Sequence, residues 1–291
     1  MRRLFLIAGL LALLVANARA QNATVSVLDF GVTPFAQKTS DSVRAHLRKD
    51  FTVADPDLTR AAATGGAYAG SLNLSVSEAR DLGAVLGTEF YILGDAQTLR
   101  RSSFAKPAYY ESYCSLFVVS ARTGRLIMWS RPSIQKDELA PAEDGLSQEL
   151  SNGETIYKIV IAIRRAREDE RVQRSIIAPA SEPLIEDAPD DEKAAEVQGL
   201  RLPRPYRRLR PEYPDSAARA DAEAVVDVLV DVRADGEVGD VQIARWGGFG
   251  LDENTVATVR QMHFFPAMKN GTAIAMRVLL RYNFRKPPRE K

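Results

Sequence analysis

Val226-Asp227-Val228-Leu229-Val230-Asp231-Val232-Arg233, with Asp235-Gly236 just after it, is the stretch whose reading decides the fold. Four valines alternate with Asp227, Leu229, Asp231 and Arg233, a period of two that marks a strand with one buried face. Asp-Gly supplies the positive φ that a tight hairpin needs. Val238, Val241 and Ile243 carry the returning strand, and the change of phase between Val238 and Val241 predicts a bulge near Gly239. Trp246-Gly247-Gly248-Phe249-Gly250 ends that strand in a loop.

Downstream, Leu251-Asp252-Glu253 opens a helix with acids in its first turn, where they suit the helix dipole. Leu251, Thr255, Val256, Val259 and Met262 recur at three- and four-residue spacings and give it one apolar face. Pro266 ends the helix or follows it, and Asn270-Gly271 marks a turn. In the last strand Met276, Val278, Leu280, Tyr282 and Phe284 face one way, and Arg277, Leu279, Arg281, Asn283 and Arg285 the other. Strand, hairpin, strand, helix, strand is a small α+β domain with an antiparallel sheet.

This order of short motifs resembles the C-terminal domain of the TonB family of energy transducers. Tyr213-Pro214 and the short helix after it match the family's opening, and Asp235-Gly236 matches its hairpin. Leu251-Asp252 matches its central helix, Phe264-x-Pro266-Ala267 the segment that follows, Asn270-Gly271 the next turn and Asn283-Phe284 the close. Ala224 stands where the family usually has Gly, and Met262 where it usually has Trp, so edge and helix packing are expected to differ there. The resemblance implies a three-stranded antiparallel sheet over residues 205–291. It also implies strand addition, in which the domain's edge pairs with an extended segment of an outer-membrane receptor. The final strand, Met276 to Arg285, would be that edge, with Arg277, Leu279, Arg281 and Asn283 read by the partner.

The 291 residues suffice for two domains, and 45% hydrophobic with 26% charged residues is an ordinary globular composition. Met1-Arg2-Arg3, thirteen apolar residues from Leu4 to Ala16, and Ala18-Arg19-Ala20 have the layout of a secretory signal peptide, residues 1–20. The apolar run is short for a spanning helix, which needs about twenty residues. Cleavage would leave 36 basic residues against 38 acidic ones, a balance with no electrostatic case for nucleic acid. The expected location is the periplasm, with an inner-membrane anchor facing the periplasm as the alternative. The single cysteine, Cys114, sits in an apolar run and reads as a buried thiol.

Residues 21–175 alternate strands with helices. Thr24 to Phe30 and Phe51 to Ala54 read as short strands, the second stopped by Asp55-Pro56-Asp57. Thr39 to Lys49 reads as a helix, and Ala61 to Gly70 as a flexible loop. Ser75-x-x-Glu78 is a capping box that opens a helix closed by Gly87. Phe90 to Gly94 is a buried strand, Tyr109 to Ser120 and Arg125 to Ser130 form a hairpin, and Glu154 to Gln173 is a long helix. This predicts an α/β domain with a mixed sheet. Val25 to Phe30, Leu86 to Gly94 and Ser120 to Gly124 resemble the α/β envelope domain shared by CsgG, FlgO, LpoB and the N-terminal part of TolB. Members of that group are mostly assembly or activator modules.

Six prolines and alternating charge blocks between Ser175 and Pro211 predict an extended spacer, placed at 176–204. The arginines at its end, among them Arg201, Arg204 and Arg208, read as a solvated linker end, with a patch that touches an acidic partner, glycan or lipid head group as the alternative. No His-Glu-x-x-His, Gly-x-Ser-x-Gly or cysteine pair is present, and His46 and His263 stand apart, so neither catalysis nor a metal or other cofactor is expected. Asp29, at a strand's C-terminal end, reads as structural. Expected partners are envelope proteins, among them a TonB-dependent outer-membrane receptor in TonB-type transport, then the cell wall and a second copy of the chain. The alternative is an assembly or activator protein that transduces no energy, in which the α/β domain makes the contact.

Overall fold

Alternation and turn chemistry act first at β1 (Thr24–Val27), β2 (Thr52–Val53) and β3 (Phe90–Arg101), where β1 pairs in parallel with both neighbours. The computed structural model describes residues 22–102, 106–175, 185–189, 195–196 and 199–286; the signal peptide expected at 1–20 lies outside them. β4 (Tyr109–Ser120) and β5 (Leu126–Ser130) continue the sheet antiparallel, in the order β2-β1-β3-β4-β5, and β6 (Ser133–Lys136) also pairs with β4. The sheet is mixed, as predicted.

One face of this sheet is covered by α1 (Pro34–Leu47), α4 (Leu139–Asn152) and α5 (Glu154–Ser175), with Val25, Ile92, Cys114, Leu116 and Val118 packed on Val43, Leu47, Leu146 and Ile159. The Cys114 thiol is fully buried there, and burial pushes its pKa up. The opposite face, with Tyr91, Leu93, Phe117 and Val119, takes α2 (Pro56–Gly65) and α3 (Val76–Leu86). A strand buried on both sides loses its polar alternation, and β4 is buried almost throughout.

The capping box at Ser75 and Glu78 is present, and Gly87 closes α3 in the left-handed conformation. α2 was not expected. Asp55 accepts from the amides of Asp57 and Leu58 and Pro56 takes the first helical position, so the residues read as ending a strand also start a helix. Asp29 bridges two helices through Arg44 and Arg60, each at 2.7 Å. Burial works to raise its pKa, but hydrogen bonds from Arg60 and Arg44 prevail and hold it below the usual carboxylate value.

The stretch read as a spacer contributes three two-residue strands, β7 (Glu186–Asp187), β8 (Leu200–Arg201) and β9 (Arg204–Pro205), all paired with C-terminal segments. Where described, it is therefore docked rather than free, because an extended chain can use unsatisfied strand edges. After the short helix α6 (Asp215–Ala220), β10 (Ala224–Val232) lies between β11 (Val238–Arg245) and β15 (Met276–Phe284), both antiparallel. Val226, Val228, Val230 and Val232 are all fully buried, against α7 (Leu251–Val259) among others, worth about 1.5–3 kcal/mol each. Val230 pairs with Val241 but Val232 with Val238, which is the bulge expected near Gly239. Met262 is buried and lies 3.5 Å from the Tyr282 hydroxyl. β12 (Phe264–Phe265) pairs with β9, and β13 (Ala267–Lys269) turns over Asn270-Gly271 into β14 (Thr272–Ile274).

The loop Trp246-Gly247-Gly248-Phe249 joins the two domains. Trp246 is 1% exposed and stacks on Phe117 of β4 at 5.8 Å, and its indole N–H donates to the Gly124 carbonyl at 3.2 Å. Phe249 meets Phe117 edge-on and Trp129 at a tilt, each at 5.5 Å. Gly248 has φ +70°, and a Cβ there would lie 2.5 Å from the Phe117 ring. Asn73 clamps the junction: its amide nitrogen donates to the carbonyls of Val225 and Trp246, and its oxygen accepts from the Val225 N–H. Asp252 holds the loop by accepting from the amides of Gly247 (2.8 Å) and Gly248 (2.9 Å). Burial pushes the Asp252 carboxyl up to about 6, against the lowering effect of those two amides.

Two outcomes are expected. Trp246→Ala should cost about 3–5 kcal/mol in urea denaturation, since it empties a packed site and strands the Gly124 carbonyl; a loss below about 1 kcal/mol would mean that the domains are not held there. Asp252 titrates at its ordinary 3.8 when unfolded and at about 6 when folded, so its contribution is most favourable below pH 3.8 and is lost as pH rises to about 6. Relative to Asp252→Asn, wild-type stability should fall by on the order of 2–3 kcal/mol between pH 4 and 7. A flat difference across that window would contradict the burial argument.

Candidate partner-binding edge

The four residues expected to meet a partner all lie on β15 with one parity. Their side chains share the sheet face opposite α7, and two of them are already engaged. Arg281 forms a two-bond ion pair with Asp227 at 2.8 and 2.9 Å, and Arg277 pairs likewise with Asp231. Both aspartates are nearly buried, at 5% and 6% exposure, so each charge depends on its arginine. Hydrogen bonding to Asp231 raises the pKa of Arg277 further. Arg245 of β11 joins the row, 3.5 Å from Asp227 and 3.0 Å from Glu78 of the α/β domain. Leu279 is 53% exposed and Asn283 is exposed.

The backbone geometry of β15 is more informative than its side chains. The N–H and C=O of one strand residue point to the same side of the ladder, and the next residue's to the other. The Arg277 carbonyl accepts from the Ala188 amide at 2.7 Å, on the side away from β10. By parity Leu279, Arg281 and Asn283 also turn their backbone groups outward. The Arg281 carbonyl agrees, accepting from the Arg208 guanidinium at 2.9 Å. Arg208, read from sequence as solvated, thus touches this edge. β7 runs parallel to β15 and pairs Glu186 with Met276 and Asp187 with Arg277, a fourth strand beyond the three expected.

The recurring motif residues build the frame instead of the edge. The Tyr213 hydroxyl donates to the Ala222 carbonyl at 2.6 Å, and Pro214 caps α6. Asp235 accepts from the Glu237 amide, and Gly236, at φ +86°, lets the hairpin touch the Phe264 backbone, whose carbonyl would lie 2.0 Å from an added Cβ. Phe264, Ala267 and Phe284 are buried, Pro266 follows β12, and Gly271 takes the positive φ of its turn. His263 lies 3.0 Å from Glu237, apart from His46 on α1. Among the described residues no group of three or more His, Cys, Asp or Glu could hold a metal ion. The Trp246-to-Phe249 contact and the Asn73 clamp were not foreseen; an aromatic pair around two glycines was the available signal.

Residues 210–285 match the sequence family described as Gram-negative bacterial TonB protein C-terminal. Among solved structures, the chain is similar to the TonB C-terminal domain of Pseudomonas aeruginosa, at 24% identity over 30% of this chain and 90% of that one, TM-score 0.26. It is also similar to lipoprotein GNA1162 from Neisseria meningitidis (12% identity, 45% and 96% covered, TM-score 0.32). A third likeness is to LpoB of E. coli (12% identity, 40% and 59% covered, TM-score 0.28). No significant match is found among curated proteins.

The Arg277–Asp231 pair is testable by a double-mutant cycle. Arg277→Ala should destabilise more than Arg277→Ala combined with Asp231→Asn, because the single change leaves a nearly buried carboxylate unpaired. A coupling energy of about 1 kcal/mol or more is expected from denaturation curves, and one near zero would make the pair ornamental to the fold.

Proposed function

We propose that the chain is a TonB-like protein-binding module of the cell envelope that takes up a partner's extended segment along β15, in TonB-type transmembrane transport. The observation that carries the reading is the edge itself. In the region that matches the TonB C-terminal family, the last strand of an antiparallel sheet turns the backbone groups of Leu279, Arg281 and Asn283 away from its neighbour. Main-chain pairing there would supply affinity, and exposed Leu279 and Asn283 would supply discrimination. The domain works by binding on this reading, without catalysis or cofactor. We place it in the periplasm, exported by a cleavable signal peptide; among the described residues no helix is long and apolar enough to cross a membrane.

A second reading is favoured by the Trp246 contact, which fixes the C-terminal domain to the α/β domain. On that reading the pair forms an envelope assembly or activator protein that transduces no energy, and the α/β domain makes the partner contact.

Leu279→Pro tests the edge. It removes one outward N–H while leaving both arginine–aspartate pairs in place, a better choice than proline at Arg281, which would strand Asp227. A photo-cross-linking side chain at Asn283, in cells of the source bacterium, should capture a discrete envelope protein, and Leu279→Pro should cut that yield at least ten-fold at unchanged melting temperature. Undiminished cross-linking in the proline variant would sink strand addition. Capture from α5, with none from β15, would favour the second reading.

A further inference from the structure

We propose that Glu186-Asp187-Ala188 is an internal occupant of the β15 edge, and that the edge therefore selects an acidic extended peptide, which binds by displacing this segment. The proposal rests on the reading of β15 as the partner edge. Three observations carry it.

The first is geometric. Arg277 is the first outward-facing residue of β15, and its carbonyl is taken by the Ala188 amide at 2.7 Å. A strand carbonyl and amide used in this way cannot also pair with a second chain in the same direction, so a partner running the full length of β15 has to remove β7. The second is charge. Glu186 lies 3.6 Å from Lys269, and Asp187 is opposite Arg277 in the ladder. Further along, the Arg208 guanidinium places a positive charge at the Arg281 carbonyl. An acidic strand placed there is attracted, and a basic one would set like charges opposite each other. The third is the shortness of the contact. β7 has two residues, both exposed, and only Ala188 just beyond them joins the small apolar cluster of Leu200, Ala267 and Met276. Two residues of pairing gain little over the chain entropy they lose, so this occupant is built to leave. β8 and β9 hold the rest of the segment on β13 and β12, so departure of β7 need not undock it.

Occupancy in cis also works as a threshold. Intramolecular attachment gives β7 a high effective concentration at the edge, so a peptide of equal intrinsic affinity is excluded, and only one that also reaches Leu279 and Asn283 gains enough pairing to compete.

The test uses the full chain and a fluorescein-labelled synthetic peptide of sequence Glu-Pro-Leu-Ile-Glu-Asp-Ala-Pro-Asp, that of residues 182–190. Anisotropy titrations compare the wild type with a chain whose residues 185–189 are replaced by Gly and Ser, and with Ala188→Pro, which removes only the donor to Arg277. Both variants should bind at least ten-fold more tightly than wild type, with affinity falling as salt rises. A peptide with its acids changed to Lys should bind at least ten-fold more weakly. Amide exchange at Arg277 should be faster in both variants than in wild type. Equal affinity of the peptide for all three chains, or its failure to bind either variant, overturns internal occupancy. Equal affinity for the lysine peptide overturns the charge selection. None of these results bears on whether a partner adds to β15, which the cross-linking at Asn283 decides separately.

Discussion

The contact between Trp246 and Phe117 is the one on which the rest depends. β4 lies in the middle of the first sheet and presents Phe117 and Val119 to a face that its own α2 and α3 only partly cover. Trp246, from a loop over a hundred residues later in the chain, fills the remainder. Apolar surface on a sheet face has to be covered, and here the second domain supplies part of the cover. The glycines beside Trp246 let the backbone come close enough, and Asp252 ties their amides down. The cost is a carboxylate with little water around it, whose raised pKa makes the same junction less stable as pH rises from 4 toward 7.

That junction changes what the C-terminal sheet can do. A tethered domain on a flexible spacer searches a volume, whereas this one has its β11 side joined to the α/β domain through Arg245, Asn73 and Glu78. β11 is thereby closed to further strand pairing along part of its length, whereas β15 pairs on its outer side with the chain's own β7. Strand edges left bare are a hazard, and proteins blunt them with short strands and charge. Glu186-Asp187 and Arg208 fit that description, a two-residue acidic strand and a charged side chain on the outer side of β15.

The outer face of this sheet follows the same economy. Asp227 and Asp231 sit on the central strand, where an unpaired charge would be costly, and the arginines of β15 and β11 neutralise them. Arg277 and Arg281 therefore have structural duties, while Leu279 and Asn283 on the same face of β15 are exposed.

Much of this was legible in the sequence. Period-two valines fixed β10, Asp235-Gly236 its hairpin, and Ser75 with Glu78 the start of α3, because each depends on neighbours a few residues away. The order of motifs from Tyr213 to Phe284 was enough to anticipate the C-terminal domain and its antiparallel strands, though not the β7 strand that pairs with β15. Local signals failed where one motif has two meanings: Asp55-Pro56 ends a strand and also caps a helix, and only the surroundings choose. They failed more completely at Trp246, Asn73, Arg208 and Glu186. Each of those residues finds its partner dozens of residues or more away, and no periodicity encodes such a meeting. The sequence by itself determined the elements and the faces they bury; tertiary structure decided how the two sheets share a core and which segments meet the outer side of β15, since both depend on packing between segments distant in the chain.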